Sequence, residues 1–287
     1  MVGVFIISIP KNPDGYLLEY KEKCKLLRSV PSPRIILVGG SNLAFGINSK
    51  RMADSLGITV INNGLHAGLG LKFILDDVVK YVRKGDIVVI APEYSHFYGD
   101  NAYGEALIFS EILDIDLSYL NDLNLHQWKI ITKGIHLLAF KRLDYLKSKY
   151  RKNDISLFEY KMSGFNTYGD EVSHRHFPSK SITSAKAFNK KINEDYLLHF
   201  AQTIHQIQQF SKVILIPPAI ERITFINQAK DIDLLQKKME QYELKFVVEP
   251  IVFTYSADCI FDTYYHLNKK GVDINTAKMI QILKDRI

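Results

Sequence analysis

The sequence predicts an α/β fold in which a five-stranded parallel sheet lies between helices. Short apolar runs alternate with segments of helical periodicity through the first hundred residues, and the same alternation returns near residue 189. Strands that alternate with helices form parallel sheets covered on both faces. The 287 residues are 47% hydrophobic, which is enough to bury a sizeable core. We therefore expect a single α/β domain over residues 1–287, interrupted by one insertion.

Three apolar runs in the first half predict the first three strands of the sheet. These strands are expected at residues 34–38, 58–61 and 86–91. A short helix over residues 49–56 separates the first two strands. Apolar residues spaced three and four apart predict a longer helix over residues 71–83, before the third strand.

The second half predicts two more strands and three helices. The helices are expected around residues 189–210, over 227–242 and over about 268–283. The strands are expected at residues 212–216 and 245–248, which brings the sheet to five strands.

The segment from about residue 98 to 186 does not continue this alternation. It has no linker rich in Pro, Gly or Ser, so we expect a mainly helical insertion that caps one edge of the sheet. Its portion over residues 117–150 carries apolar residues among many lysines and arginines. A basic amphipathic helix can lie on a membrane surface or against a partner. A packed helix with a solvated basic side is the preferred interpretation.

Composition restricts the classes of partner. The net charge of +6 and the pI near 9.0 suit an anionic neighbour, such as a phospholipid surface or an acidic glycan. No zinc-finger, RNA-recognition or helix-turn-helix signature is present, so no nucleic acid partner is expected. Two cysteines, Cys24 and Cys259, are too few for a disulfide framework and have no metal-ligand spacing.

The apolar start of the chain, Met1 to Pro10, is shorter than the roughly 20 residues that span a bilayer. It also lacks the basic beginning of a signal peptide. Two interpretations stay open: an edge strand or hydrophobic arm, or the remnant of a membrane anchor. With the basic insertion, this start favours the cell envelope or a membrane surface over the cytoplasm.

The candidate nucleophile is Ser41, which follows Gly39 and Gly40 at the end of the first predicted strand. Open α/β sheets bind their ligands at this edge. A serine hydroxyl becomes nucleophilic when a base oriented by a third group lies beside it. His266 precedes the closing helix and can return to the same edge, with Asp262 four residues upstream. These residues suggest a catalytic triad. The alternative is a plain strand-to-helix turn or an anion site made of amides.

Three segments resemble the blocks of the SGNH, or GDSL-like, hydrolase superfamily. Residues 39–42 are similar to the first block, whose serine is the nucleophile, and residues 62–68 to the second, whose glycine amide enters the oxyanion hole. Residues 262–271 are similar to the last block, which carries the acid and the base. The resemblance covers nearly the whole chain except the insertion. It implies a flavodoxin-like, three-layer α/β/α fold and a Ser-His-Asp esterase or acyltransferase mechanism.

Glu93 and Tyr94 follow the third predicted strand and should face the same cleft, where they either contact substrate or simply pack. The other residues expected to form the oxyanion hole or to contact substrate are Gly40, Asn42, Gly64, Ala67 and Gly68. Among these, either Ala67 or Gly68 takes the place of the second-block glycine. No P-loop or dinucleotide fingerprint follows a predicted strand, so no cofactor is expected, and no metal site is expected either.

The chain departs from the family pattern in two places. The third block normally ends in Gly-x-Asn-Asp, and its asparagine is an oxyanion donor, but this chain has Pro92, Glu93 and Tyr94 there. Loss of one such donor lowers turnover by about 10²–10³. Either Asn42 or another group substitutes, or the activity is weak. The acid normally precedes the histidine by three positions, where this chain has Thr263 rather than an acid.

A second polar cluster, His174-Arg175-His176, has spacing that could bind a metal. No predicted helix or strand fixes its rings, so a solvated loop, or a loop over the cleft, is the preferred interpretation.

The leading hypothesis is a serine-dependent esterase or O-acyltransferase that acts on acyl esters, chiefly acetyl, of a carbohydrate or cell-envelope polymer. The substrate class rests on analogy with the superfamily. The alternative is a catalytically weak or inactive binding or assembly factor for envelope glycans, suggested by the absent asparagine. A third, weaker hypothesis is an anion-binding domain that relies on the basic surface.

Overall fold

The computed structural model describes residues 9–149 and 160–287. The predicted N-terminal arm therefore lies almost entirely outside the described residues. A parallel sheet of four strands forms the centre of the described structure, with spatial order β2-β1-β3-β4. The strands are β1 (Arg34–Gly39), β2 (Thr59–Asn62), β3 (Ile87–Ala91) and β4 (Lys212–Leu215).

The neighbouring strands β1 and β3 form the edge of the sheet that positions the candidate site. They pair in parallel over their length, with Gly39 opposite Ala91. The chain leaves β1 towards β2 on one side and reaches β3 on the other. The carboxyl ends of β1 and β3 therefore form the topological switch point, where open α/β sheets have a crevice for ligands.

Helices of very different lengths connect and cover these strands. They are α1 (Glu19–Ser29), α2 (Ser41–Ala44), α3 (Ser49–Leu56), α4 (Leu71–Val79), α5 (Ala106–Ser110), α6 (Ile112–Ile115), α7 (Leu125–Lys149), α8 (Glu194–Gln208), α9 (Arg222–Glu240) and α10 (Lys269–Lys284).

Asparagine side chains set the starts of three of the helices. Asn48 before α3, Asn193 before α8 and Asn268 before α10 each accept a hydrogen bond from the amide three residues further on. Each cap satisfies an amide that has no partner inside the helix, and such a cap stabilises by about 1 kcal/mol. The structured start of α10 matters most, because it follows directly after His266.

Two apolar cores lie on opposite faces of the sheet, because alternate strand residues point to opposite sides. Ile36 and Val88 belong to the core that contains residues of α1, α4, α8 and α9. Leu37 and Val89 belong to the core that contains residues of α3 and α10. This arrangement is compatible with a three-layer α/β/α fold.

The predicted fifth strand of the sheet, at residues 245–248, is wrong. Residues 245–248 do not form a strand, and their link to the sheet is a hydrogen bond from the Val247 amide to the Leu215 carbonyl at 2.9 Å. Before this segment, the chain turns through Glu243 at a positive φ of 60°. The chain bends at Val247 and Val248, before Pro250 begins a 3₁₀ turn, so the single hydrogen bond is not extended into a ladder. A separate parallel pair, β5 (Ile220–Glu221) and β6 (Thr254–Tyr255), lies outside the main sheet.

The insertion contains α5, α6 and α7, with short 3₁₀ turns and irregular chain after residue 160. Helices α5 and α7 pack closely at Gly134, where an added Cβ would lie 1.8 Å from the Ala106 carbonyl oxygen. Within residues 9–149 and 160–287, no helix has the length and apolarity that a membrane span requires.

Candidate active site

Ser41 and Glu93 lie side by side at the switch point. Ser41 is the first residue of α2, and Glu93 follows the end of β3 by two positions. The Ser41 hydroxyl donates to Glu93 Oε1 at 3.4 Å, and the Asn42 amide donates to the same oxygen at 3.4 Å. An added Cβ on Gly40 would lie 2.5 Å from Glu93 Oε1, so a glycine is needed here for the carboxyl to approach.

The Glu93 carboxyl is almost completely buried, with 4% of its surface exposed. Burial raises its pKa to about 7, against the opposing effect of hydrogen bonds from the Asn42 amide and from the Ser41 hydroxyl and amide. Glu93 therefore changes its protonation state near neutral pH. In its neutral form it can donate a hydrogen bond, and in its ionised form it can only accept.

His266 and Asp262 form the second half of the site. His266 Nδ1 lies 2.8 Å from Asp262 Oδ1, and the Tyr160 hydroxyl donates to Asp262 Oδ2 at 2.6 Å. Burial of Asp262 acts to raise its pKa, but the hydrogen bonds with His266 and Tyr160 bring the pKa below its ordinary value. Asp262 is therefore ionised at neutral pH. Thr263 lies at the position where the family has its acid. It accepts a hydrogen bond from the His266 amide through its backbone carbonyl at 3.1 Å.

The His266 ring is held by an aromatic stack. Phe45, directly after α2, lies parallel to it with ring centroids 4.1 Å apart and an interplanar angle of 7°. Burial lowers the pKa of His266 below its ordinary value, although Asp262 opposes this. A neutral imidazole bonded to Asp262 through Nδ1 leaves Nε2 as a proton acceptor. Within the described residues, Nε2 has no hydrogen-bond partner, and the Ser41 hydroxyl bonds to Glu93 rather than to His266.

The loop that carries His266 is fixed on both sides of the histidine. The Tyr94 amide donates to the Tyr265 hydroxyl at 3.2 Å, which ties the loop to the end of β3. On the other side, His174 Nε2 lies 2.9 Å from the Leu267 carbonyl, and its Nδ1 hydrogen-bonds to Glu171.

His174 therefore corrects the expectation of a solvated loop or a loop over the cleft, because its side chain is completely buried and supports the His266 loop. In the part of the chain that the structure describes, no group of three or more His, Cys, Asp or Glu side chains could hold a metal ion.

The two halves of the site meet at one cavity of about 770 Å³. Ser41, Glu93, His66, Tyr160 and His266 all line it. This volume falls within the range of about 300–1,000 Å³ found for small-molecule sites. Its walls also include aromatic and aliphatic side chains outside α7, namely Tyr16, Leu17, Tyr264 and Tyr265. Helix α7 contributes Leu138, Lys141, Arg142 and Tyr145.

Two of the three amides expected from the second block, those of Gly64 and Gly68, are bonded within their own segment. The Gly64 amide donates to Asn62 Oδ1 at 3.0 Å, and the Gly68 amide donates to His66 Nδ1 at 2.9 Å. An added Cβ on Gly64 would lie 2.6 Å from Leu43 Cβ, so this glycine serves close packing against α2. Both amides are therefore engaged within their own segment rather than directed at a substrate.

Two side chains expected at the cavity, those of Asn42 and Tyr94, lie elsewhere. The Asn42 side chain donates to the Ala91 carbonyl at 3.1 Å. Ala67 accepts a hydrogen bond through its carbonyl from His96 Nε2 at 3.1 Å. Tyr94 is fully buried and does not line the cavity. The backbone amides of Ser41 and Asn42 stay at the site, both directed at Glu93.

His66 is a site residue that the sequence did not single out. Because its Nδ1 accepts the Gly68 amide, the neutral ring carries its proton on Nε2. Burial lowers the pKa of His66 to about 4, with a further effect from the charge of His266. His66 is therefore a neutral hydrogen-bond donor on the cavity wall. Its position inside the second block was the available signal.

Tyr160 and Phe45 were also missed. Tyr160 reaches Asp262 across 102 positions of sequence from a segment without periodicity, so no local pattern could have indicated it. Phe45 lies four positions after Ser41, but its stacking partner is far along the chain.

Comparisons with known proteins place the chain in no family: no family model matches it, and neither does a curated protein or a solved structure.

Proposed function

We propose that this chain is a serine-dependent esterase or O-acyltransferase of SGNH type. The observation that carries the proposal is that Ser41 and His266 line the same cavity at the switch point of the sheet, and that His266 is hydrogen-bonded to Asp262 behind it. A neutral histidine oriented by an ionised carboxylate is the base that a serine nucleophile requires.

In the proposed reaction, the Ser41 hydroxyl leaves Glu93 and transfers its proton to His266 Nε2 as its oxygen attacks an ester carbonyl carbon. Asp262 holds the imidazole and stabilises the imidazolium. His266 then delivers the proton to the departing alcohol, which leaves an acyl group on Ser41. Water, or the hydroxyl of an acceptor, then loses a proton to His266 as its oxygen attacks the acyl carbon. The bond from that carbon to Ser41 Oγ breaks, and His266 returns the proton to Ser41 Oγ.

Hydrogen-bond donors around Ser41 would stabilise the negative oxygen of the tetrahedral intermediate. We assign this task to the amides of Ser41 and Asn42 together with two neutral side chains, Glu93 and His66. In the structure, Glu93 accepts hydrogen bonds from both amides. In its protonated form it adds a donor, which compensates for the absent third-block asparagine. One well-placed donor contributes about 10²–10³ in turnover.

The cavity is consistent with an acyl ester of a carbohydrate. Its volume of about 770 Å³ is much larger than an acetyl group needs. The tyrosine rings of its wall supply apolar faces and hydroxyl groups for sugar rings. Lys141 and Arg142 lie at the α7 wall, where both are paired with acidic residues, Glu111 and Asp114. We therefore propose an O-acetylated envelope polysaccharide as the substrate class.

The second candidate function is a binding or assembly factor for envelope glycans. It is favoured by the hydrogen bond from Ser41 to Glu93, since ionised Glu93 blocks the amides that catalysis would use. Such a protein would bind the polymer equally well with Ser41→Ala and would release no acyl group.

The test is acetate release from an O-acetylated polysaccharide, followed by nuclear magnetic resonance, with acetyl transfer to an added oligosaccharide measured by mass spectrometry. We expect one of the two products with the native chain and neither with Ser41→Ala. Equal product with Ser41→Ala would contradict the proposal. Polymer binding without product in either protein would favour the second candidate.

A further inference from the structure

Helix α7 has two faces with different roles. The side chains of Leu138, Lys141, Arg142 and Tyr145 line the cavity, and their spacing of three, one and three residues places them on one stripe. A second stripe on the opposite side is solvent-exposed. It runs through Leu125, Lys129, Lys133, His136, Phe140, Leu143 and Lys147. We call this second stripe the outer face of α7.

The outer face combines large exposed apolar side chains with lysines. Leu125 is 81% exposed, Phe140 62% and Leu143 39%. Trp128 and Leu137, at 40% and 37% exposed, flank the stripe. Large apolar side chains that are exposed along one face of a helix favour an interaction site when charged side chains between them suit the same partner.

The charge of α7 indicates what this face meets. Over residues 125–149 the sequence has six Lys or Arg residues and a single acidic residue, Asp144. Asp144 lies within 3.6 Å of Lys147. Lys129 and Lys133 are exposed beside Leu125, and Lys147 is exposed beside Leu143. Such a face suits a membrane interface. Its apolar side chains can enter the acyl layer, and the lysines between them can reach the phosphate groups of the lipids.

We propose that the outer face of α7 docks in the plane of an anionic lipid bilayer. The helix has 25 residues and lies along the surface of the described structure. Phe140, Leu143 and Leu125 would enter the boundary between headgroups and acyl chains, and the lysines would contact anionic headgroups. In this orientation α7 forms a wall between the lipid surface and the cavity. The proposal does not depend on the esterase reaction.

The test is flotation of the full chain with vesicles of phosphatidylcholine alone and of phosphatidylcholine with 30% phosphatidylglycerol. We expect binding to the anionic vesicles, at least tenfold weaker binding to the neutral ones, and loss of binding in concentrated salt. A Phe140→Ser, Leu143→Ser variant should bind anionic vesicles at least tenfold more weakly. Lys129→Glu with Lys133→Glu should have a similar effect.

The matched control is Ile223→Ser with Ile226→Ser, which removes two apolar side chains of α9 that are 51% and 59% exposed. This control should bind vesicles as the native chain does. Circular dichroism and thermal unfolding show whether each variant is folded. Absence of binding to anionic vesicles, or equal binding by the α7 variants and the native chain, would overturn the proposal. Light scattering could also overturn the proposal. If the native chain is a dimer and Phe140→Ser with Leu143→Ser makes it a monomer, the outer face of α7 binds a second copy of the chain rather than lipid.

Discussion

Glu93 Oε1 lies 3.4 Å from the hydroxyl oxygen of Ser41, where it also accepts the Asn42 amide at 3.4 Å. The carboxyl thus occupies the donors at the start of α2. An ionised Glu93 competes with a developing oxyanion for these donors and repels it. A neutral Glu93 can yield the amides and donate its own proton. In the proposed mechanism, the reactivity of Ser41 therefore depends on the proton of Glu93.

The first prediction concerns the pH dependence of kcat/KM. The rate should rise with pH as His266 becomes neutral, with a midpoint below the ordinary histidine pKa of 6.5, because burial lowers its pKa. It should fall as pH passes about 7, where Glu93 ionises. Glu93→Gln cannot ionise, so the fall at alkaline pH should disappear.

Hydrolysis of p-nitrophenyl acetate between pH 5 and 9 measures this profile. Asp233→Asn, at an exposed position of α9, is a control with the same change of charge and should keep the native profile. An alkaline fall that survives in Glu93→Gln would remove Glu93 from the mechanism.

The second prediction concerns stability. The pKa of Glu93 rises from 4.5 to about 7 on folding. The contribution of Glu93 to the free energy of unfolding is therefore fully present below pH 4.5 and is lost as pH rises through about 7. This rise corresponds to about 3 kcal/mol of destabilisation at pH 8. Glu93→Gln removes the penalty. Urea denaturation should give the variant the higher free energy of unfolding at pH 8 and nearly equal values at pH 4.5. A difference that does not depend on pH would show that Glu93 titrates normally.

The third prediction separates the two partners of Asp262. Asp262→Asn should lower kcat by roughly 10³–10⁴, because an amide cannot stabilise the imidazolium and can favour the wrong tautomer. Tyr160→Phe removes one hydrogen bond to Asp262 and should lower kcat by about tenfold. Unfolding curves should show that both variants are folded. Near-native kcat in Asp262→Asn would indicate that His266 acts without an orienting acid.

The sequence predicted most of the sheet because its information is local. The apolar runs of β1 and β3 and the helical spacing of α4 were recognisable within a few residues, and α3 has the predicted bounds. The pairing of His266 with Asp262 could be inferred because the two residues lie four positions apart. The prediction of the fifth strand was wrong because its local pattern is apolar, whereas a strand also needs a ladder, and the bends at Val247 and Val248 leave one hydrogen bond to Leu215.

The details of the site depend on contacts between distant segments. Glu93 reaches Ser41 because β1 and β3 pair across 52 positions of sequence, which no local pattern contains. The amides of Gly64 and Gly68 were expected to face the substrate. They are instead bound by Asn62 and His66, whose side chains compete for nearby backbone groups.

The fourth prediction concerns His66. His66→Phe keeps a ring on the cavity wall but removes the Nε2 donor, so kcat should fall by about 10²–10³ with little change in KM. His66→Gln keeps a donor and should recover part of this loss. Comparison of the two variants in p-nitrophenyl acetate hydrolysis gives the result. Native kcat in His66→Phe would show that His66 does not contact the oxyanion.

The central claim is that Ser41 is a nucleophile activated by His266. Labelling with a fluorophosphonate probe at pH 6.5, followed by intact mass and peptide mapping, tests it most directly. We expect one adduct in the native chain, on Ser41, no adduct in Ser41→Ala, and labelling at least a hundredfold slower in His266→Ala. No adduct on the native chain at any pH from 5 to 9, or an adduct that persists in Ser41→Ala, would contradict the claim.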